Sequence, residues 1–336
     1  MIAHRDTATV GIMANNDFPT RTFINVNDVT FAAYEANGDV DGKNPPVILL
    51  HGWPEIAYCW KNQINTIAAA GYRVIAIDLK GFGYSSHPPD PAHYSAKFLT
   101  SEYAALLDTL EIERAIFCGH DWGGALVWSM AQWQPNRVAG VIGVCTPLRK
   151  RPPVAPLTIL RKRFGDRHYI VQFQKDGVCE DLFATDIERF FKITCRAPVP
   201  RKDWPKLVPH VFDLPGRFAN IDAPVRGDII VGQDVFETYV AAYRHSGFRG
   251  GINLYRNIDQ NWLDMEGRDE TITAPSLWIG AENDLFLPPE SAEDLDTLVN
   301  DIEKSVIPNV GHWVTWEAPS LLNQTIIDWL DRRFNA

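Results

Sequence analysis

Short, wholly apolar runs that stop at glycine-bearing turns recur along this chain, and they restrict its fold more than any other feature. PPVILLHG (45–52), YRVIAIDLKGFG (72–83), RAIFCGHDWGG (114–124) and RVAGVIGVC (137–145) follow one another. Helical stretches lie between them, including SEYAALLDTL (101–110) and GGALVWSMAQWQ from Gly123. Apolar runs this short suit strands covered on both faces, the condition of a parallel sheet. Alternation with helices predicts an α/β fold with right-handed crossovers. Ahead of these runs, the pattern from Thr22 to Glu35 predicts two antiparallel strands that turn at Asn27-Asp28.

After Cys145 the rhythm stops. Residues 147–255 are rich in arginine, proline and aromatics, as in PLRKRPPVAP and FETYVAAYRHSGF, without a repeating strand-turn-helix unit. It resumes with APSLWIGAENDLFLP (274–288) and IEKSVIPNVGHW (302–313), then an amphipathic helix in SLLNQTIIDWLDRRF (320–334). The expected architecture is a mostly parallel eight-stranded sheet flanked by helices, with a mainly helical cap inserted after the sixth strand. Its core is residues 20–146 and 256–336, the cap 147–255, and residues 1–19 an N-terminal extension.

Composition narrows the function classes. Lys+Arg of 32 against Asp+Glu of 42 gives a net charge of -10, which disfavours nucleic acid and anionic membrane surfaces as partners. A small neutral ligand is expected instead. Cys59, Cys118, Cys145, Cys179 and Cys195 are odd in number and lack close paired spacing, so neither a disulfide framework nor a zinc site is expected. The opening MIAHRDTATVGIMANNDF is too polar for a secretory signal, and no stretch approaches the roughly 20 apolar residues of a membrane span. These readings predict a cytoplasmic chain without a membrane span, metal or organic cofactor, and leave a homodimer open.

In an open parallel sheet, ligands bind beyond the carboxyl ends of the strands. Four such ends carry chemistry: His51-Gly52-Trp53-Pro54, Gly119-His120-Asp121-Trp122-Gly123-Gly124, Glu282-Asn283-Asp284 and Gly311-His312-Trp313. Gly119 and Gly123 flank Asp121 at the spacing of a nucleophile held out in a sharp strand-to-helix turn. Asp121, Asp284 and His312 then fill the nucleophile, acid and histidine places of a hydrolytic triad, in that chain order. The aspartate itself indicates the reaction. Serine attacking a saturated carbon would leave an ether that the site cannot cleave, whereas a carboxylate leaves an ester. Water activated by His312 can hydrolyse that ester and restore Asp121. Backbone N–H groups of Trp53 and Trp122 are the expected oxyanion donors. Pocket walls are expected from His51, Trp53, Pro54, Trp122 and Trp313.

HGWPE, GHDWGG, AENDLFLP and VGHW together resemble the α/β-hydrolase-fold epoxide hydrolases. The resemblance extends to Tyr169-Ile170-Val171-Gln172-Phe173-Gln174 and to Leu254-Tyr255-Arg256-Asn257. It implies that Tyr169 and Tyr255 grip the epoxide oxygen, and that the product is a vicinal diol. Neutral phenols suit a leaving alkoxide, which needs donors and finally a proton. His168 adjoins Tyr169, and a subfamily places histidine at the first ring-opening position; the register of the following QFQ favours Tyr169. Lys80 in IDLKGFGYSS stands where the family usually has arginine. Two other readings compete: a haloalkane dehalogenase sharing the aspartate, and a non-catalytic ligand-binding protein of the same fold. Trp53, the acid-free CTPLRK and Trp122 count against the first, and the complete triad against the second.

Overall fold

A computed structural model describes residues 18–37, 42–223, 225 and 227–335, with only the backbone of 209 and 210. Most of the expected N-terminal extension lies outside the described residues. The sheet has eight strands: β1 (Arg21–Val26), β2 (Val29–Ala36), β3 (Val47–Leu50), β4 (Val74–Ile77), β5 (Ala115–His120), β6 (Val138–Val144), β7 (Ser276–Ala281) and β8 (Ile302–Ile307). Their spatial order is β1-β2-β4-β3-β5-β6-β7-β8. The pairs β1–β2 and β2–β4 are antiparallel, and β4 to β8 run parallel.

The apolar runs become strands because both faces of the sheet are covered. Every residue of β3 through β7 is buried, and the pleat divides them between two cores. Ile48, Leu50, Ile75, Ile77 and Phe117 face one side, with α2 (Ala96–Thr109) and α3 (Trp122–Trp133). Val47, Leu49, Val74, Ala76 and Ile116 face the other, with α1 (Ile64–Ala69) and the C-terminal helix 319–334. Helix α2 starts five residues before the expected Ser101. Ser95 accepts a hydrogen bond from the Phe98 N–H and caps it, and the added first turn buries Ala96 and Leu99.

Between β6 and β7 the chain is helical: α4 (Pro156–Phe164), α5 (Tyr169–Gln172), α6 (Val178–Ala184), α7 (Ile187–Thr194), α8 (Trp204–Val211), α9 (Leu214–Ala219), α10 (Gln233–Ser246), α11 (Arg249–Arg256) and α12 (Ile258–Asp264). Its aromatics form their own stack, with Phe183, Phe190, Phe248 and Tyr243 at ring separations of 4.8 to 5.5 Å. Among the described residues, no helix is long and apolar enough to cross a membrane. The five cysteines are free and buried.

Candidate active site

Strand β5 ends at His120 and α3 begins at Trp122, so Asp121 alone makes the turn, with φ 52° and ψ −116°. A non-glycine residue in that region is strained and holds its place only because the surroundings fix it. The flanking glycines are sterically required. A Cβ at Gly119 would lie 2.2 Å from the Gly123 carbonyl oxygen, and one at Gly123 would lie 2.0 Å from that of Leu50. Thr146 Oγ1 donates to the Asp121 carbonyl at 2.6 Å and ties the turn to the end of β6.

The carboxylate of Asp121 is already sorted into two oxygens. Oδ1 accepts the Trp53 N–H at 2.8 Å, while Oδ2 lies 3.5 Å from His312 Nε2. His312 Nδ1 is 2.8 Å from Asp284 Oδ2. The other Asp284 oxygen accepts the N–H groups of Phe286 and Leu287, each at 2.9 Å. Burial alone would raise the Asp284 pKa, but the His312 charge and these hydrogen bonds hold it below the usual carboxylate range. Burial likewise opposes a charge on His312, yet Asp284 and Asp121 together push its pKa well above the ordinary value. The structure thus brings Asp121, Asp284 and His312 into one connected line.

Tyr169 begins α5 and Tyr255 sits near the end of α11, their rings 5.6 Å apart. Tyr255 meets Trp122 edge-on at 4.9 Å and Trp53 at 5.5 Å. Tyr169 stacks parallel to Trp53 at 6.4 Å. Burial first, and then the Asp121 charge among other neighbours, raises both phenols above their usual pKa. They are therefore neutral donors. The segments bearing them are bolted together. Gln174 Nε2 donates to the Ile170 and Tyr255 carbonyls at 2.9 and 3.1 Å, and Arg256 donates to those of Phe173 and Lys175 at 2.9 and 3.1 Å.

A cavity of about 70 Å³ is bounded by Asp121, His312, Tyr169, Tyr255, Trp53, Pro54 and Trp313. His51 and Trp122, expected in its wall, do not line it. His51 is fully buried, with Nε2 accepting the Leu79 N–H at 2.9 Å and Nδ1 donating to the Gly52 carbonyl at 2.8 Å. Burial lowers its pKa to about 4, so it fastens the loop as a neutral ring. The Trp122 side chain is turned to a neighbouring cavity of about 240 Å³, shared with Lys97, Leu126, Trp133 and Ile258. His168 is also outside the first cavity. It stacks on Tyr169 at 5.0 Å, and its Nδ1 accepts the Ile170 N–H at 3.3 Å.

Sequence reasoning assigned no role to Glu55 or His120, although both stand inside the quoted motifs. His120 Nδ1 lies 3.1 Å from Glu55 Oε2, and its Nε2 is 2.8 Å from the His312 carbonyl. With an acceptor at each nitrogen, the ring is a cation. Burial disfavours that charge, but contacts with Cys145 and Glu55 outweigh it and raise the pKa to about 10. Glu55 Oε1 also accepts from Tyr239 of α10 at 2.9 Å and Trp316 at 2.8 Å. Glu55 follows β3 and His120 ends β5, neighbouring parallel strands, and a charged group beyond each of two apolar runs was the available signal. Among the described residues, His120, Cys145 and His312 have ligand atoms within 4.8 Å of one another. Coordination there would first break the hydrogen bonds that His120 and His312 already make.

The pattern of the alpha/beta hydrolase fold matches residues 45–319. The pig bifunctional epoxide hydrolase 2 is 36% identical over 86% of this chain and 52% of its own length, so the chain spans about half of that relative. Epoxide hydrolase A of Mycobacterium tuberculosis is 32% identical over 93% of this chain and 97% of its own. The crystal structure of epoxide hydrolase A from Mycobacterium thermoresistibile superposes with a TM-score of 0.83 at 32% identity, covering 93% of this chain and 98% of that one. With the fold, the glycine-flanked aspartate turn and near full-length similarity in agreement, the chain belongs to the epoxide hydrolase family of the alpha/beta hydrolase fold.

Proposed function

We propose that this chain hydrolyses an epoxide to a vicinal diol through an ester on Asp121, with residues 147–255 acting as a cap over a core of 20–146 and 256–336. The observation that carries this reading is the division of labour within one carboxylate at the cavity wall: Oδ1 is held by the Trp53 N–H and Oδ2 lies 3.5 Å from His312 Nε2.

Oδ2 attacks a ring carbon, the carbon–oxygen bond of the epoxide breaks, and the leaving oxygen takes a proton from Tyr169 or Tyr255. Both phenols lie across the cavity and are neutral at ordinary pH, as donors to a developing alkoxide must be. Esterification removes the negative charge on Asp121. One of the two carboxylates that raise the His312 pKa is thereby lost, the imidazolium passes its proton to the tyrosinate left by ring opening, and the neutral imidazole is a usable base. It takes a proton from water, the hydroxide adds to the ester carbonyl, and the resulting negative oxygen is Oδ1. The Trp53 N–H already bonds that oxygen, and the Trp122 N–H, first in α3, is its expected second donor. On collapse the departing alkoxide takes the proton from His312 to complete the diol, and the regenerated Asp121 carboxyl group passes its own proton to the imidazole, restoring the starting charges.

Halide, the leaving group of a dehalogenase, needs N–H donors and no proton, and the paired phenols favour the epoxide. The apolar walls fit a small substrate body. Five free buried cysteines suit a reducing, cytoplasmic compartment. A single turnover with excess enzyme in heavy-oxygen water tests the covalent step. Label is expected in the Asp121 carboxylate, and a diol fully labelled over an unlabelled Asp121 would reject the ester.

A further inference from the structure

The charges of this chain are unevenly divided. Residues 147–255 hold 18 of the 32 Lys and Arg but only 12 of the 42 Asp and Glu, so a basic helical region sits on an acidic core. The excess is densest at 149–167, where RKRPPVAPLTILRKRFGDR carries seven Lys or Arg against one acid, Asp166. Helix α4 lies in the middle of that stretch and buries none of its nine residues. Successive residues advance about 100° around its axis, and the half-buried Leu157, Leu160 and Phe164 share the face turned to the protein. Thr158, Ile159, Lys162 and Arg163 stand exposed on the opposite face. Ile159 is 40% exposed and Val154, just before the helix, 46%. Either alone would be ordinary; together they lie among cations.

Four of those cations have no partner. Asp166 pairs with Arg161 at 2.8 Å and Arg167 lies 3.9 Å from Asp213, whereas Arg149, Lys150, Lys162 and Arg163 have no carboxylate within ion-pair distance among the described residues. Desolvation and then the like charge of Arg163 lower the Arg149 pKa, so the turn before α4 and the end of α4 form one positive surface. The nearest acid of α12, Asp259, sits at the other end of the helix and accepts the Leu157 N–H at 3.0 Å. Phe164 stacks on His168 at 5.0 Å, and His168 on Tyr169 at 5.0 Å. The positive surface is thus two rings away from the wall of the reactive cavity.

We infer that the outer face of α4, with the turn before it, docks the protein on an anionic lipid surface. The cations meet lipid phosphates while Ile159 and Val154 enter the acyl boundary, as in an interfacial helix. The net charge of -10 disfavours such a surface only as an average, because in salt an exposed charge more than about 10 Å away is largely screened. RNA would engage the cations but gain nothing from the two apolar side chains, whereas lipid takes both. Docking sets the reactive cavity beside the phase in which apolar epoxides collect. That consequence rests on the proposed reaction; the docking itself does not.

The test sediments the full chain with vesicles of phosphatidylcholine alone and of phosphatidylcholine and phosphatidylglycerol in equal parts, at low and high salt, and requires no turnover. Binding is expected on the anionic vesicles, about tenfold or more weaker on the neutral ones, and weakened by salt. Each Lys or Arg at such a surface contributes about fivefold in affinity, so Lys162→Gln with Arg163→Gln should lose about twentyfold. Ile159→Ser should lose a smaller factor. Lys43→Gln with Lys304→Gln, the same charge change at exposed positions of the core, should lose little. Affinities are referred to the folded fraction measured by circular dichroism, so that lost folded protein cancels. No binding to the anionic vesicles, equal binding to both kinds, unchanged binding in Lys162→Gln with Arg163→Gln, or an equal loss in the core variant would overturn the inference. Tighter binding to polyuridylate RNA than to the anionic vesicles, with Ile159→Ser affecting neither, would give the face to nucleic acid and overturn it too.

Discussion

On the sheet side of the cavity, Asp121 and Asp284 hang from the ends of β5 and β7, and His312 from the loop after β8. Backbone groups at strand ends hold the two carboxylates: Phe286 and Leu287 N–H on Asp284, and the Trp53 N–H together with the strained turn on Asp121. On the helical side, Tyr169 and Tyr255 are 86 positions apart in sequence. They are aligned by long side chains, Gln174 and Arg256, and by rings packed on Trp53 and Trp122. The contrast shows that the half of the site bearing charge is fixed by backbone groups at neighbouring strand ends. The half supplying protons depends on tertiary packing of the cap helices.

The largest expected effect breaks the helical side alone. Tyr169→Phe combined with Tyr255→Phe removes both proton donors while leaving Asp121 in place, and ester formation should slow by about 10²- to 10⁴-fold. Rapid-quench measurement of the ester reads this directly; an unchanged rate would assign ring opening to other groups.

Next is the buried pair that joins the two sides, Glu55 with His120, to which Tyr239 of α10 also bonds. Glu55→Gln leaves a buried imidazolium without its carboxylate, an effect of about 3–5 kcal/mol in denaturant unfolding. The pH dependence has a defined sign. His120 is raised from 6.5 to about 10 on folding, so its contribution is complete below about pH 6.5 and is lost as pH rises through 10. Glu55 is lowered from 4.5, so its contribution holds above that value and is lost as pH falls through the folded pKa. Wild-type stability should therefore decline on the alkaline side between those His120 values, and the decline should flatten in Glu55→Gln. Parallel curves for the two proteins would show that the pair does not set this dependence.

The smallest effect sharpens the comparison at the surface. Lys61, in the loop before α1, pairs with Asp234 of α10 at 2.7 Å, but Asp234 is well exposed. Lys61→Met should change unfolding free energy by less than about 1 kcal/mol, because solvent screens such pairs. A larger loss would mean that cap and core are joined by exposed charge more than by the buried network.

Glycine-flanked Asp121, Asp284 and His312 could be read in advance because strand ends, turn glycines and chain order are local signals. The same logic misplaced His51 and Trp122. Both belong to the motif loops, yet one ring was drawn beneath the loop to satisfy the Leu79 N–H and the other turned to a second cavity. Glu55 and His120 had no assigned role because a charge–charge contact across 65 positions leaves no periodic trace in sequence.

By itself the sequence determined the sheet, its two covered faces and the carboxylate at the turn, since apolar periodicity and the steric demands of glycine act over a few residues. Only the tertiary structure decided which oxygen of Asp121 faces His312, how Tyr169 and Tyr255 come together, and that His120 pairs with Glu55. Those outcomes depend on how separate helices pack, and packing is set by contacts between residues far apart in the chain.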